Sequence, residues 1–218
     1  MAVSAPGAGA AAPGSLVLGT TNAGKVRELA ALLEPHGIGV VSLRESGGVT
    51  VEETGATFAE NAALKAAAQA LALGRFVLAE DSGLCVDALG GAPGVRSARF
   101  SATGGDEANN DLLLERLAGI DADRRGAHYA CHAALADPSG RVVAVSEGVC
   151  RGRIAAGRSG SGGFGYDPLF IVPEYHRTFG ELPAAVKSVI SHRARALRAL
   201  LPDLLRHVGT PARAPRHP

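Results

Sequence analysis

Cysteine is scarce and scattered: Cys85, Cys131 and Cys150 are the three in 218 residues, with no C-x-x-C pair. A disulfide-stapled miniprotein is thereby excluded, and the pattern suits buried thiols in a reducing cytosol, hence a cytoplasmic location. Net charge is nearly absent, at +1, so no field of one sign steers the chain to nucleic acid or a lipid surface. Any bound anion must meet locally placed charge. No run of 18 or more apolar residues occurs, which leaves no helix to span a membrane. The start, MAVSAPGAGAAAPGS, lacks the basic n-region and large apolar run of a signal peptide. Residues 1–14 are therefore expected to be a flexible tail. Lysine is the rarest charge: Lys25, Lys65 and Lys187 stand against 19 arginines. Where arginine serves as the generic cation, a retained lysine marks either chance or a need for a compact ammonium beside phosphate oxygens.

What is present describes a folded chain. Hydrophobic residues make up 46% and charged residues 20% of 22.1 kDa, enough for one domain with a substantial core. LVL at 16–18 reads as a short strand, GTTNAGK at 19–25 as a polar loop, and VRELAALL as the helix after it. Thr57-x-x-Glu60 is a capping box that opens a helix through about Leu73, closed by Gly74. FVLA at 76–79 is a buried-strand candidate that ends in Glu80-Asp81-Ser82-Gly83. DEANNDLLLERLAG predicts a helix with Asp106 as its cap. HYACHAALA and RVVAVSEGVC form a hairpin across Asp137-Pro138-Ser139-Gly140, and a final helix follows Arg193, kinked or restarted at Pro202. Helices alternate with strands early and the hairpin comes late, so the class is α/β with a mixed sheet. One domain is expected over 15–206, with a second tail over 207–218.

Residues 19–25 fit G-x-x-x-x-G-K, the spacing of a phosphate-cradling loop, or else form an ordinary strand-to-helix turn. Residue 26 is valine, not the Ser or Thr that ligates Mg²⁺ in a P-loop, which argues against a kinase or P-loop ATPase. A metal would then need carboxylates elsewhere. Glu52-Glu53 and Glu80-Asp81 are the two acidic pairs, the first of which is equally readable as a solvated turn. GSGGFGYDP places Phe164 and Tyr166 among glycines, either as a pocket wall or as a plain flexible loop, and Lys187, His192 and Arg193 add three donors. Zinc at His128, Cys131 and His132 is disfavoured, because on a strand Cys131 faces away from the two histidines.

Taken in order, TTNAGK, VEETGATFAENAALKA, EDSGLCVDALGGAPG with SARFS, GGFGYDP and KSVISHR resemble the inosine/xanthosine triphosphate pyrophosphatase family. All three lysines fall inside these motifs. The resemblance, from about Leu16 to Leu205, implies an elongated mixed β-sheet flanked by helices, two lobes with an active-site cleft between them, and a homodimer. It implies Mg²⁺-dependent hydrolysis of (d)ITP and XTP to the monophosphate and pyrophosphate, which keeps deaminated purines out of DNA and RNA. Carried over by match, Asp81 is the catalytic residue, the proton acceptor, and binds metal together with Glu52. Thr20, Thr21, Asn22, Ala23, Gly24 and Lys25 contact the triphosphate, with Lys65 close by. Ser82, Phe164, Gly165, Tyr166, Asp167, Lys187, His192 and Arg193 line the rest of the substrate site. The rivals are a pyrophosphatase for modified pyrimidine triphosphates and a sensor that binds a nucleotide without cutting it.

Overall fold

A computed structural model describes residues 16–208, so the two expected tails lie outside the described residues except at His207 and Val208. Seven strands form one mixed sheet. They are β1 (Leu16–Leu18), β2 (Val40–Ser42), β3 (Val77–Val86), β4 (Gly126–Ala136), β5 (Val142–Ile154), β6 (Phe170–Val172) and β7 (Arg177–Thr178), in spatial order β2-β1-β3-β4-β5-β6-β7. β1 runs parallel to both β2 and β3, and every later pairing is antiparallel. The helices are α1 (Ala23–Leu33), α2 (Leu43–Ser46), α3 (Phe58–Leu73), α4 (Asp106–Arg116), α5 (Ala184–Ile190) and α6 (His192–Val208). No described helix is long and apolar enough to cross a membrane.

The two-residue period of the strands sorts the core onto two faces. Leu16, Leu18, Leu78, Cys131, Ala133 and Leu135 face α1 and α6, where Leu29, Leu33, Leu197, Leu200 and Leu204 meet them. Val17, Val77, Ala79, Ala134 and Ala136 face the opposite way onto Ala62, Ala66 and Ala70 of α3. The small alanines let α3 approach the sheet closely. A third cluster, with Leu113, Leu117, Tyr129, Phe170 and Phe179, forms the core of the other lobe. The cleft lies where the clusters meet.

Local signals explain most boundaries. Thr57 accepts from the N–H of Glu60 while the Glu60 carboxylate accepts from the N–H of Thr57, and Gly74 ends α3 in the left-handed region, as the capping box predicts. Three expectations need correction. β3 does not stop at Ala79 but runs on to Val86, carrying both acids inside the sheet. Asp106 does not cap α4, because Gly105 occupies the N-cap without a side-chain bond. The third concerns the last helix, at whose start Ser191 is extended, closes α5, and accepts the N–H of Ala194 with its hydroxyl. That last helix neither stops nor restarts at Pro202, and it reaches Val208.

Candidate active site

Because β3 continues through the acids, the alternation of its side chains separates them. Glu80 falls on the Leu78 side, toward α1 and α6, and Asp81 on the Ala79 side, toward α3. Glu80 is 1% exposed and is held by Lys25 at 3.2 Å and by Arg193 Nη2 at 2.9 Å. Burial pushes the Glu80 carboxyl up, but Arg193 and Lys25 outweigh it and hold the group well below the usual carboxylate range. Asp81 receives Lys65 at Oδ1 and the Asn61 amide at Oδ2, each at 3.2 Å. Lys65 also contacts Glu53 at 2.8 Å. Burial disfavours the Lys65 ammonium, yet Asp81 and Glu53 overcome this and raise its pKa.

Lys25, Glu53, Lys65, Asp81 and Arg193 border one cleft of about 720 Å³, while Glu80 and Asn61 are buried behind it. At one end, Thr20, Thr21, Asn22 and Lys25 come from the β1–α1 turn, with Lys65, Asp81 and Ser82 beside them. Asn22 caps α1 by accepting the N–H of Lys25 at 3.0 Å. At the other end stand Phe164, Gly165, Tyr166, Asp167, Lys187, His192 and Arg193. Three expected residues do not line it. Ala23 and Gly24 lie outside the lining, with Gly24 buried under the Phe164 ring, and Glu52 is exposed away from the cleft. Glu53, the other acid of the pair, lines the cleft, as do Val49, Thr50 and Val51 before it.

The wall at this end is a network of charges and rings. Lys187 bridges Asp167 and Glu28, the latter at 2.7 Å, and sits 4.8 Å from the Phe164 ring centroid. Burial raises the Asp167 pKa despite Lys187 beside it. Arg193 also pairs with Glu28 and donates to Ser82 at 3.0 Å, so its guanidinium is committed to Glu80, Glu28 and Ser82. His192 is 4% exposed, stacks on Tyr129 at 4.6 Å and 9°, and leaves Nδ1 without a partner. Burial and the neighbouring Arg193 drive its pKa well below the ordinary value, so the ring is neutral and carries one donor and one acceptor.

Sequence reasoning missed Glu28, Asn61 and Tyr129. Glu28 had a signal, standing three residues after Lys25 on the same helix face. Cys131 donates to Glu80 at 3.4 Å, and burial keeps its thiol protonated, with a pKa well above normal.

The Ham1 family model matches residues 16–203, nearly the whole described chain. This chain belongs to the Ham1 family. It is 57% identical to a dITP/XTP pyrophosphatase of Rhodopirellula baltica over 195 residues, covering 88% of this chain and 94% of that protein. Among solved structures, a HAM1 protein from Coxiella burnetii superposes with a TM-score of 0.79 at 38% identity, covering 88% and 98% of the two chains. A nucleoside-triphosphatase / dITP/XTP pyrophosphatase from Mycobacterium abscessus gives 0.69 at 44% identity, covering 86% and 99%. Family membership accounts for the mixed sheet with flanking helices.

Proposed function

We infer that this chain is a nucleoside-triphosphate pyrophosphatase that hydrolyses deaminated purine triphosphates, (d)ITP and XTP, to the monophosphate and pyrophosphate. One observation carries this reading: a single cleft joins a phosphate-type turn, two lysines and a cleft-facing carboxylate at one end to an aromatic, donor-bearing wall at the other. Relatives 45–57% identical bear the name dITP/XTP pyrophosphatase, which supports it.

Lys25 and Lys65 bind phosphate oxygens and offset charge on the leaving pyrophosphate, the usual electrostatic route in phosphoryl chemistry. Asp81 orients the attacking water and takes up its proton. Among the described residues no group of three or more His, Cys, Asp or Glu is placed to hold a metal. Asp81 with one glutamate of the 52–53 pair nevertheless fits Mg²⁺, which takes one or two hard carboxylates and fills its shell with water and substrate phosphate. Bound there, the ion supplies further neutralisation of phosphate charge.

Selectivity follows from donors. Hypoxanthine and xanthine present a carbonyl at C6 where adenine presents an amino group, so a His192 or main-chain N–H that faces C6 meets an acceptor in one case and a donor in the other. A buried unsatisfied group costs about 1–3 kcal/mol, and a site built on hydrogen bonds can discriminate by about 10⁴–10⁵. A homodimer and a cytoplasmic location belong to the same reading.

The test is pyrophosphate release from ITP, XTP, ATP, GTP and dUTP with Mg²⁺, for wild type and Asp81→Asn. Rapid release from ITP and XTP alone, lost in the variant, is expected. Tight ITP binding without turnover would instead favour the sensor, and preference for dUTP the pyrimidine enzyme.

A further inference from the structure

Helix α4 supplies none of the expected substrate contacts, yet two of its side chains close on one residue of the cleft wall. Asp106 Oδ2 accepts the N–H of Gly165 at 2.6 Å, and Asn110 Nδ2 donates to the Gly165 carbonyl at 2.9 Å. The two stand four apart, on one face of the helix, and reach a glycine 59 and 55 residues along the chain. Asp106 has no capping duty, since Gly105 is the N-cap. Asn110 is 3% exposed, and its Oδ1 has no partner, so the amide is buried for the sake of its donor side.

Gly165 is where a clamp matters. It lies at φ +64° in a stretch with glycine at 157, 160, 162, 163 and 165, a backbone with much freedom to lose. Its predecessor Phe164 lays its ring on Gly24 at the start of α1, 4.8 Å from Lys187 and 5.6 Å from Arg193. The ring thus stands between the phosphate turn and the base-side cations. Asp167 and Tyr166 fix the loop beyond it, through the Phe164 N–H at 2.9 Å and the Ser97 carbonyl at 2.8 Å. The side chains on Gly165 itself all come from α4.

We propose that Asp106 and Asn110 are positioning residues for base selection, holding Gly165 and thereby the Phe164 ring at the place where the purine must stack. The proposal rests on the reading that Phe164 meets the base. It assigns α4 to choice of substrate and leaves the phosphate chemistry to Asp81 and Lys65.

The experiment measures kcat and KM for ITP and ATP in Asp106→Ala, Asn110→Ala, Asp106→Asn and Phe164→Ala, with thermal melts. Each α4 alanine variant should raise KM for ITP about tenfold and narrow the ITP-over-ATP ratio of kcat/KM by a similar factor, with kcat changed less than about twofold. Asp106→Asn keeps an oxygen that can accept the Gly165 N–H and should restore the wild-type ratio. A helix that only supports the fold would lower kcat for both substrates alike and leave KM and the ratio in place, which overturns the proposal. If Phe164→Ala changes the ratio and the α4 variants do not, the clamp is wrong while the aromatic wall stands. If Phe164→Ala leaves the ratio unchanged, the reading of the wall falls and the clamp with it. Asp106 is exposed, so its variants decide the matter should Asn110→Ala fail to fold.

Discussion

Glu80 and Asp81 are neighbours on one strand, yet the two faces of the sheet give them opposite tasks. On the α1 and α6 face, Glu80 is enclosed with Arg193 and Lys25, and the network continues through Glu28 and Lys187 to Asp167. On the α3 face, Asp81 borders the cleft beside Lys65, which is shared with a Glu53 side chain 28% exposed. Buried pairs cannot be half-broken cheaply, whereas part-exposed pairs exchange partners at little cost. The first face holds the wall rigid, and on the second Lys65 can turn from its carboxylates to an incoming phosphate, which frees Asp81 for water or metal.

The largest effect that would break this contrast is on stability. Glu80→Gln leaves Arg193 and Lys25 facing a neutral amide in a closed site and should cost about 3–5 kcal/mol of folding free energy in urea denaturation. Asp81→Asn, which removes turnover, should cost clearly less, about 1–2 kcal/mol, because Lys65 keeps Glu53 and the site borders the cleft. Equal losses in the two variants would mean that the faces do not differ as described.

A contrast of this kind is only half visible in the sequence. The strand at 16–18, the Thr57–Glu60 box, Gly74 and the hairpin turn at 137–140 are local signals, so they fix their elements directly. Glu80 and Asp81 look like the end of a strand because carboxylates in a sheet interior are costly. What offsets that cost comes from Lys25, Lys65 and Arg193, which are far away in the chain. The extended segment at 49–53 shows the same limit in its register. Val49, Thr50, Val51 and Glu53 line the cleft there, and no local pattern tells whether Glu52 or Glu53 is among them. Asp106 before a helix reads as a cap, and only the fold brings Gly165 to it.

A smaller effect sharpens the comparison at the junction of the two ends of the cleft. Gly24 is the second residue of α1, where alanine would gain at most the roughly 0.5–1 kcal/mol that glycine costs inside a helix. The alanine Cβ, however, would lie 2.7 Å from Phe164 Cδ1, and the ring must turn aside. Overpacking of this kind costs about 1–3 kcal/mol, so Gly24→Ala should melt lower than wild type and its KM for ITP should also rise about fivefold. A lower melting point with unchanged KM would show that the ring packs there for stability alone.

The smallest effect concerns His192, whose buried ring stacks on Tyr129 and feels the charges of Arg193, Glu80, Lys187 and Lys25. Burial, then Arg193, places its folded pKa well below the unfolded value, with Glu80 offsetting only part. The unfolded chain thus takes up the proton first as pH falls. The stability held by the neutral ring is complete above about pH 6.5 and is lost progressively below it, by at most about 1.4 kcal/mol per pH unit. His192→Gln removes this proton from both states. Its urea midpoint should fall less than that of wild type between pH 6.5 and 5, above the range where carboxylates such as Glu80 titrate in the unfolded chain. Parallel slopes would mean that His192 accepts a proton in the folded protein as easily as in water. The buried Nδ1 would then be a donor, and discrimination against ATP should strengthen as the pH is lowered.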